Sequence, residues 1–327
     1  MKKSYEFCSS LKSYFQEYLK IREASLTKES FSIGKHYLEN FDAFLSERRI
    51  LQDSITETVV YSWIENLPFS NRTVISAVST LRMFLKYLHG CGLKAFIPDL
   101  PKFHDNYVPY IYTDEEVERI MKLADSGWAV GRNPYLKVEI PMILRLLQGC
   151  GLRIGETLSL KIGDVDFDRG LLIMKHTKRD KQRVVPMHSQ LTEILKRYCV
   201  AMGIYHTTDK WLFPGMTTEK HLRLNNVDVR CKKMLAEASI PLSEEKNQRG
   251  PCLHCFRHLF VVRSFHQLEK QGIHIDDTVP YLSIYLGHDN LMETEKYMKF
   301  SSDMFPEEME KFNEYIEGLF PEVDYEE

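Results

Sequence analysis

Between Leu253 and Phe300 the chain reads LHCFRHLF, a spacer, and then YLGHDNLMETEKYMKF, which gathers His254, Arg257, His258, His288 and Tyr297. These side-chain types suit a phosphodiester. Arginine is a permanent cation whose planar fork can clamp two phosphate oxygens. Histidine can hydrogen-bond a phosphate or move a proton near neutral pH. A tyrosine phenol can act as an oxygen nucleophile and hold a phosphoryl group covalently. Each residue taken singly has an ordinary alternative: a His and an Arg three apart are commonly surface charge, and a lone Tyr commonly packs half-buried. Their order and spacing together make the chemistry specific.

His254-x-x-Arg257-His258, then Leu286-Gly287-His288, then Tyr297 nine residues later resemble the C-terminal signature of the tyrosine recombinase (phage integrase) family. Upstream, Cys150-Gly151-Leu152-Arg153-Ile154-Gly155-Glu156 resembles that family's first-arginine box. The segment TKRDKQRVVP resembles its β-hairpin lysine motif, with Lys178 at the lysine position and Lys175 and Lys181 as competitors. The resemblance covers nearly the whole chain and implies a catalytic set of Arg153, Lys178, His254, Arg257, His288 and Tyr297. Tyr297 would attack a DNA phosphate, leaving a 3′-phosphotyrosyl enzyme. Arg153 and Arg257 would offset the charge that grows on the non-bridging oxygens, in the place metal ions hold in other phosphoryl transferases. Lys178 would protonate the leaving 5′ oxygen, His254 would assist at the nucleophile, and His288 would hydrogen-bond the phosphate. Glu156 and His258 fall to supporting positions. The resemblance implies no cofactor, no metal and no ATP.

The elements that must position these groups are mostly helical. Phe7, Leu11, Tyr14 and Tyr18 share one face, as do Leu38, Phe41 and Leu45, and again Leu81, Phe84, Leu85 and Leu88. Four or five short helices are expected here, with breaks near Thr27, Ser54 and Pro68–Asn71 and an end at Gly90 and Gly92. IPDLPKFHDNYVP reads as a linker. Thr113-Asp114-Glu115-Glu116 reads as a capping box opening a second domain. Gly151 allows a sharp turn into a helix containing Glu156, Leu158 and Leu160. LLIMKHTKRDKQRVVPM changes period to two and reads as a hairpin with a basic tip. Helices follow around Leu191–Tyr198 and Val227–Ala238.

The expected architecture is mainly α with a small β-sheet, an α+β chain. A helical bundle, 1–96, precedes a linker, 97–109, and a catalytic domain, 110–302. An acidic tail, 303–327, carries an amphipathic helix with Met309, Phe312, Ile316, Leu319 and Phe320 on one face. The resemblance implies that the first bundle is a core-binding domain clamping duplex DNA. Arg72, Arg82 and Lys86 there, with Arg179 and Lys181 at the hairpin, are its candidate phosphate contacts. It further implies a homo-oligomer, a tetramer on two duplexes, in which the last helix folds onto its own domain or docks on a neighbour. Accessory proteins that set direction are expected partners.

At 43% hydrophobic and 12% aromatic the chain has a globular composition. No apolar run approaches the roughly 20 residues of a membrane span, so no membrane partner is expected. Odd, scattered cysteines, 7 in all, and the lack of a signal-peptide pattern point to a cytoplasmic, nucleoid-associated protein. The net charge of −3 argues against a DNA partner only until its distribution is read: residues 303–327 hold ten acidic residues against Lys311 alone. The rest of the chain is net positive, which permits binding a polyanion. Cys252-x-x-Cys255 with His254 could be half a zinc site, but no second pair lies at a spacing that closes it.

The leading expectation is a site-specific recombinase. The YLSIYLGH phrase and the long spacer between Arg257 and His288 resemble those of mobile-element-borne members. A type IB topoisomerase, a non-catalytic DNA-binding regulator on the same fold and, more remotely, a metal-dependent nuclease are the alternatives.

Overall fold

The three-and-four spacing of apolar residues in the first hundred positions folds as four helices: α1 (Lys12–Glu23), α2 (Lys28–Glu47), α3 (Glu57–Glu65) and α4 (Asn71–Gly90). The computed structural model describes residues 5–102, 109–128, 133–175, 182–217, 219–242, 250–288, 291 and 294. Thr27 caps α2 by accepting the Ser30 N–H. Phe15 stacks between Phe7 and Phe84, with ring centroids 4.9 and 4.2 Å away. One charge is fully buried in this core. The Asp42 carboxylate accepts the Tyr5 hydroxyl, the Cys8 and Ser9 N–H groups and the Ser9 hydroxyl, so the first residues are tied to α2 without an unpaired anion.

The chain divides into two compact units, Met1–Asn106 and Tyr107–Glu327. The second begins with α5 (Asp114–Asp125), opened by the reciprocal capping box between Thr113 and Glu116. It is built around α6 (Leu136–Cys150), which is buried on nearly every side. A short α7 (Ile154–Leu158) and a 3₁₀ turn lead into a three-stranded antiparallel sheet, β1 (Val165–Asp166), β2 (Leu171–Met174) and β3 (Arg183–Pro186), in the order β1-β2-β3. Leu171 pairs with Pro186 and Met174 with Arg183. Then come α8 (Ser189–Ala201), α9 (Leu224–Glu237), α10 (His254–Glu269) and α11 (Ile275–Leu286). The expected helix through Leu160 is shorter than its periodicity suggests. It stops at Leu158, because the backbone leaves it to bond the segment at Leu212, whose N–H donates to Leu160 O at 2.8 Å.

Gly151 decides how α6 ends. It sits in the left-handed region at φ 58°, and a Cβ there would strike the Phe260 ring of α10, 2.8 Å from its Cγ. Backbone strain and overpacking together should make Gly151→Ala cost about 2–4 kcal/mol. The check is the urea midpoint at unchanged slope; a midpoint equal to the parent's would mean the ring can yield.

Candidate active site

Two glycines at helix ends bring the separated motifs together. The left-handed turn at Gly151 points its carbonyl at α10, where Arg257 Nη1 donates to it at 2.7 Å. At the end of α11, Gly287 is also left-handed, φ 65°, and closes the helix with N–H bonds from Gly287 and His288 back to Ile284 and Ser283. That closure leaves the carbonyls of Leu286 and Gly287 facing the two arginines. Arg257 Nη2 donates to Leu286 O at 2.8 Å, and Arg153 Nη1 reaches the same oxygen at 3.4 Å. Arg153 also donates to Gly287 O at 3.3 Å from both of its terminal nitrogens. Two guanidinium groups therefore meet at one carbonyl. Their mutual repulsion is offset because the C-terminal end of a helix carries partial negative charge.

The two arginines differ in exposure. Arg257 is 1% exposed, whereas the Arg153 side chain is 33% exposed at the start of α7. Glu156 holds Arg153 in place, its carboxylate accepting the Arg153 N–H at 3.2 Å and Nη1 at 3.1 Å. The same carboxylate binds Arg183 at the head of β3 through two parallel bonds, 3.0 and 2.7 Å. Burial would raise the Glu156 carboxyl, but the Arg183 hydrogen bonds and charge, with Arg153, hold it below the usual range. Arg183 in turn lies against the backbone of Gly287, where a Cβ would come within 2.9 Å of Nη1. Arg183 lies in the TKRDKQRVVP segment, where its residue type marks only a basic hairpin. The signal available was strand alternation: it shares a face with fully buried Val185.

His288 follows Gly287 and is held at both ring nitrogens. Arg257 Nη2 lies 3.0 Å from Nε2 and Thr294 Oγ1 lies 2.6 Å from Nδ1. A guanidinium can only donate, so Nε2 accepts and Nδ1 carries the proton. Burial first, then Arg257, Arg153 and Arg183, push its pKa down to about 3. Three cations against the one Glu156 carboxylate thus leave a net positive field beside a neutral imidazole, which favours a bound anion. His258 is likewise pushed down to about 3 by burial, then by His254 and Arg257. His254 is exposed at the first turn of α10, its ring edge-on to that of His258 with centroids 4.6 Å apart.

These buried groups shape the pH dependence of folding. His258 and His288 fold with pKa values lowered from 6.5 to about 3, so the unfolded chain takes up their protons first. The stability they contribute is complete above 6.5 and is lost as pH falls toward about 3. Glu139 on α6 runs the other way. Its oxygens have no hydrogen-bond partner among the described residues, and burial raises its carboxyl from 4.5 to about 8. The folded chain keeps that proton, and stability is lost as pH rises from 4.5 through about 8. Glu139→Gln should flatten the alkaline limb of a stability–pH curve and leave the acid limb unchanged, read by urea unfolding between about pH 4 and about pH 9.

Of the residues expected from sequence, Arg153 bonds Glu156 and Arg257 bonds His288, the two pairs meeting at the Leu286 carbonyl, and His254 and His258 stand in ring contact on the same helix as Arg257. Lys178, Arg179, Lys181, Tyr297 and the 303–327 tail lie outside the described residues. Lys175, one of the two competitors to Lys178, is paired with Asp164 at 2.6 Å. In the first unit Arg72 and Lys86 are exposed on α4. Arg82 donates to Pro98 O and lies 3.9 Å from Asp99. No helix among the described residues is long and apolar enough to cross a membrane.

Comparison with known proteins places this geometry in a wider setting. Residues 111–303 match the model of the phage integrase family. The chain is 30% identical over 253 residues to the tyrosine recombinase XerA of Thermococcus onnurineus, spanning 77% of this chain and 78% of that protein. Its fold is similar to that of the XerH site-specific recombinase bound to palindromic difH substrate, with a TM-score of 0.70 at 19% identity over 94% of this chain and 85% of that one. It is also similar to the Tn1549 transposon integrase in complex with a circular intermediate DNA, with a TM-score of 0.64 at 17% identity over 93% and 100%.

Proposed function

Because this chain belongs to the phage integrase family, and is on that ground a tyrosine recombinase acting in site-specific DNA recombination, we propose that it cuts and rejoins DNA through a 3′-phosphotyrosyl intermediate at Tyr297. The observation that carries this reading is the meeting of Arg153 and Arg257 at the Leu286 carbonyl with His288 alongside. Preorganised donors of that kind stabilise the charge that develops on a phosphoryl group in transfer. The Tyr297 oxygen forms a bond to phosphorus as the bond to the 5′ oxygen breaks. His254 takes up the phenolic proton and Lys178 supplies one to the departing oxygen. The new phosphotyrosyl bond keeps the energy of the phosphodiester, so attack by another strand's 5′ hydroxyl reseals the DNA with neither ATP nor a metal ion.

Glu156 and His258 position the catalytic groups: Glu156 by bridging Arg153 and Arg183, His258 by packing beneath His254. In this reading the 1–96 bundle is the domain that clamps the duplex, joined by 97–109 to a catalytic domain over 110–302. Arg72 and Lys86 on α4, with Arg179 and Lys181 at the hairpin, contact phosphates. Arg82 steadies the segment after α4 by its bond to Pro98 O. The working assembly is a tetramer on two duplexes, and the biological setting is integration or excision of a mobile element, which the YLSIYLGH phrase and the long spacer favour.

Covalent capture tests the reading. The protein is incubated with fragmented host and element DNA in chelator without ATP, and denaturant-resistant adducts are isolated and sequenced. Adducts at a few sites are expected. Adducts spread without preference would favour a topoisomerase, and specific binding with no adduct would favour a regulator.

A further inference from the structure

The entry to α10 holds two cysteines that the strand-transfer chemistry does not use. Cys252 Sγ lies 3.7 Å from Cys255 Sγ. Cys252 is partly exposed and Cys255 is buried. The two thiols share a hydrogen bond in which either sulfur could donate, and backbone hydrogen bonding at His254 and Cys255 also favours the Cys252 thiolate. These bonds, the first the largest, pull the Cys252 pKa down to about 6 against burial and the Asp228 carboxylate. The same bond, with burial, raises the Cys255 thiol. An accessible thiolate at a helix start, beside a buried thiol that can resolve it, is the arrangement disulfide exchange requires.

We propose that Cys252 and Cys255 form a redox-active dithiol, oxidised by low-molecular-weight disulfides, whose closure rearranges the first turn of α10 and displaces His254. The Cys252 thiolate attacks one sulfur of the external disulfide and expels a thiolate, giving a mixed disulfide. Cys255 then releases its proton to the expelled thiolate and attacks the Cys252 sulfur, expelling the second. Two protein thiols are oxidised and one external disulfide is reduced to two thiols, with no further reactant.

Closure must change the local backbone. The sulfurs have to move from 3.7 Å to a bond of about 2.05 Å. A disulfide sulfur is a poor acceptor, so the N–H groups of His254 and Cys255 lose their thiolate partner. On the upstream side the Cys252 carbonyl is anchored by the buried Tyr112 hydroxyl at 3.1 Å. The adjustment therefore falls on residues 253–255, which include His254. The effect on DNA cleavage rests on the role proposed for His254; the dithiol itself does not.

The test uses the full chain with the exposed Cys8 and Cys91 replaced by Ser, equilibrated with reduced or oxidised glutathione. Three readouts are taken: peptide mass, the His254 imidazole proton resonance assigned with His254→Gln, and adduct formation on DNA. Oxidation should give a Cys252–Cys255 peptide lighter by two hydrogens, a shifted His254 resonance, and cleavage lower by about tenfold or more. Dithiothreitol should reverse all three, and Cys252→Ser should show none of them. A persistent mixed disulfide, no disulfide in excess oxidised glutathione, or a disulfide that leaves the His254 resonance unmoved would overturn the proposal. If the bond forms and His254 shifts while reduced protein makes no adduct, the dithiol stands and the recombinase reading fails.

Discussion

Tyr297→Phe should bind the same DNA sites as the parent and form no denaturant-resistant adduct with them. The substitution deletes one oxygen and leaves the ring, so the proposed nucleophile is lost outright with the smallest change of shape. Removal of a nucleophile commonly costs at least about 10⁴-fold in rate. Two other tyrosines lie on α11. Tyr285 is half-buried and its hydroxyl donates to Cys150 O at 3.2 Å, with desolvation raising its pKa further from the range where a phenolate is available. Tyr281 is 75% exposed on α11, and it is the natural control. Adducts that survive Tyr297→Phe but vanish with Tyr281→Phe would move the nucleophile to α11 and refute the assignment. Binding measured in parallel by filter retention separates loss of chemistry from loss of affinity.

Arg257→Ala carries the second-largest effect, and it should act on folding as well as on cleavage. Its guanidinium is buried and donates to Gly151 O, Leu286 O and His288 Nε2. Removal takes the Arg257 donor from Gly151 O and leaves Leu286 O with the longer Arg153 bond, which should lower stability by about 3–5 kcal/mol. Cleavage by the folded fraction should fall about 10²–10³-fold, the usual effect of removing one transition-state donor. Arg153→Ala provides the contrast. Its side chain is one-third exposed, so it should lose a similar factor in cleavage with far less loss of stability. Arg257→Lys keeps the charge but not the planar fork that spans two carbonyls and an imidazole, and it should recover stability better than activity. Urea midpoints and single-turnover adduct formation on the same preparations supply both numbers. Equal stability losses for Arg153→Ala and Arg257→Ala would contradict the distinction drawn between them.

The reciprocal use of Glu156 couples β3 to the site. The strand that follows the Lys178 motif begins with Arg183, and Arg183 grips the same carboxylate that steadies Arg153. Any displacement of β3 is therefore felt at Arg153. The tight approach of Arg183 to Gly287 extends that coupling to the carbonyls that hold both arginines.

The amino-acid sequence by itself determined the helices of the first unit, the Thr113–Glu116 cap, the hairpin, and the order of Arg153, His254, Arg257, His288 and Tyr297. These depend on periodicity, capping and turn chemistry, which act within a few residues of one another. It also marked Gly151 as a turn, because only glycine takes that backbone conformation without strain. What it did not contain was the partner of each charge. Arg257 reaches Gly151 across 106 positions and Leu286 across 29, and the Arg183–Glu156 pair spans 27. Nothing local distinguishes an arginine buried to hold a carbonyl from one on a solvated face. The same holds for His288, whose residue type permits either charge state. Only its partial burial, with Arg257, Arg153 and Arg183 alongside, makes it neutral. The sequence likewise spelled Cys-x-x-Cys, which invites a metal. It was the packing of α10 that set the two sulfurs 3.7 Å apart with helix N–H groups aimed at one of them. Burial and long-range pairing are properties of the packed chain, and there the tertiary structure alone decided.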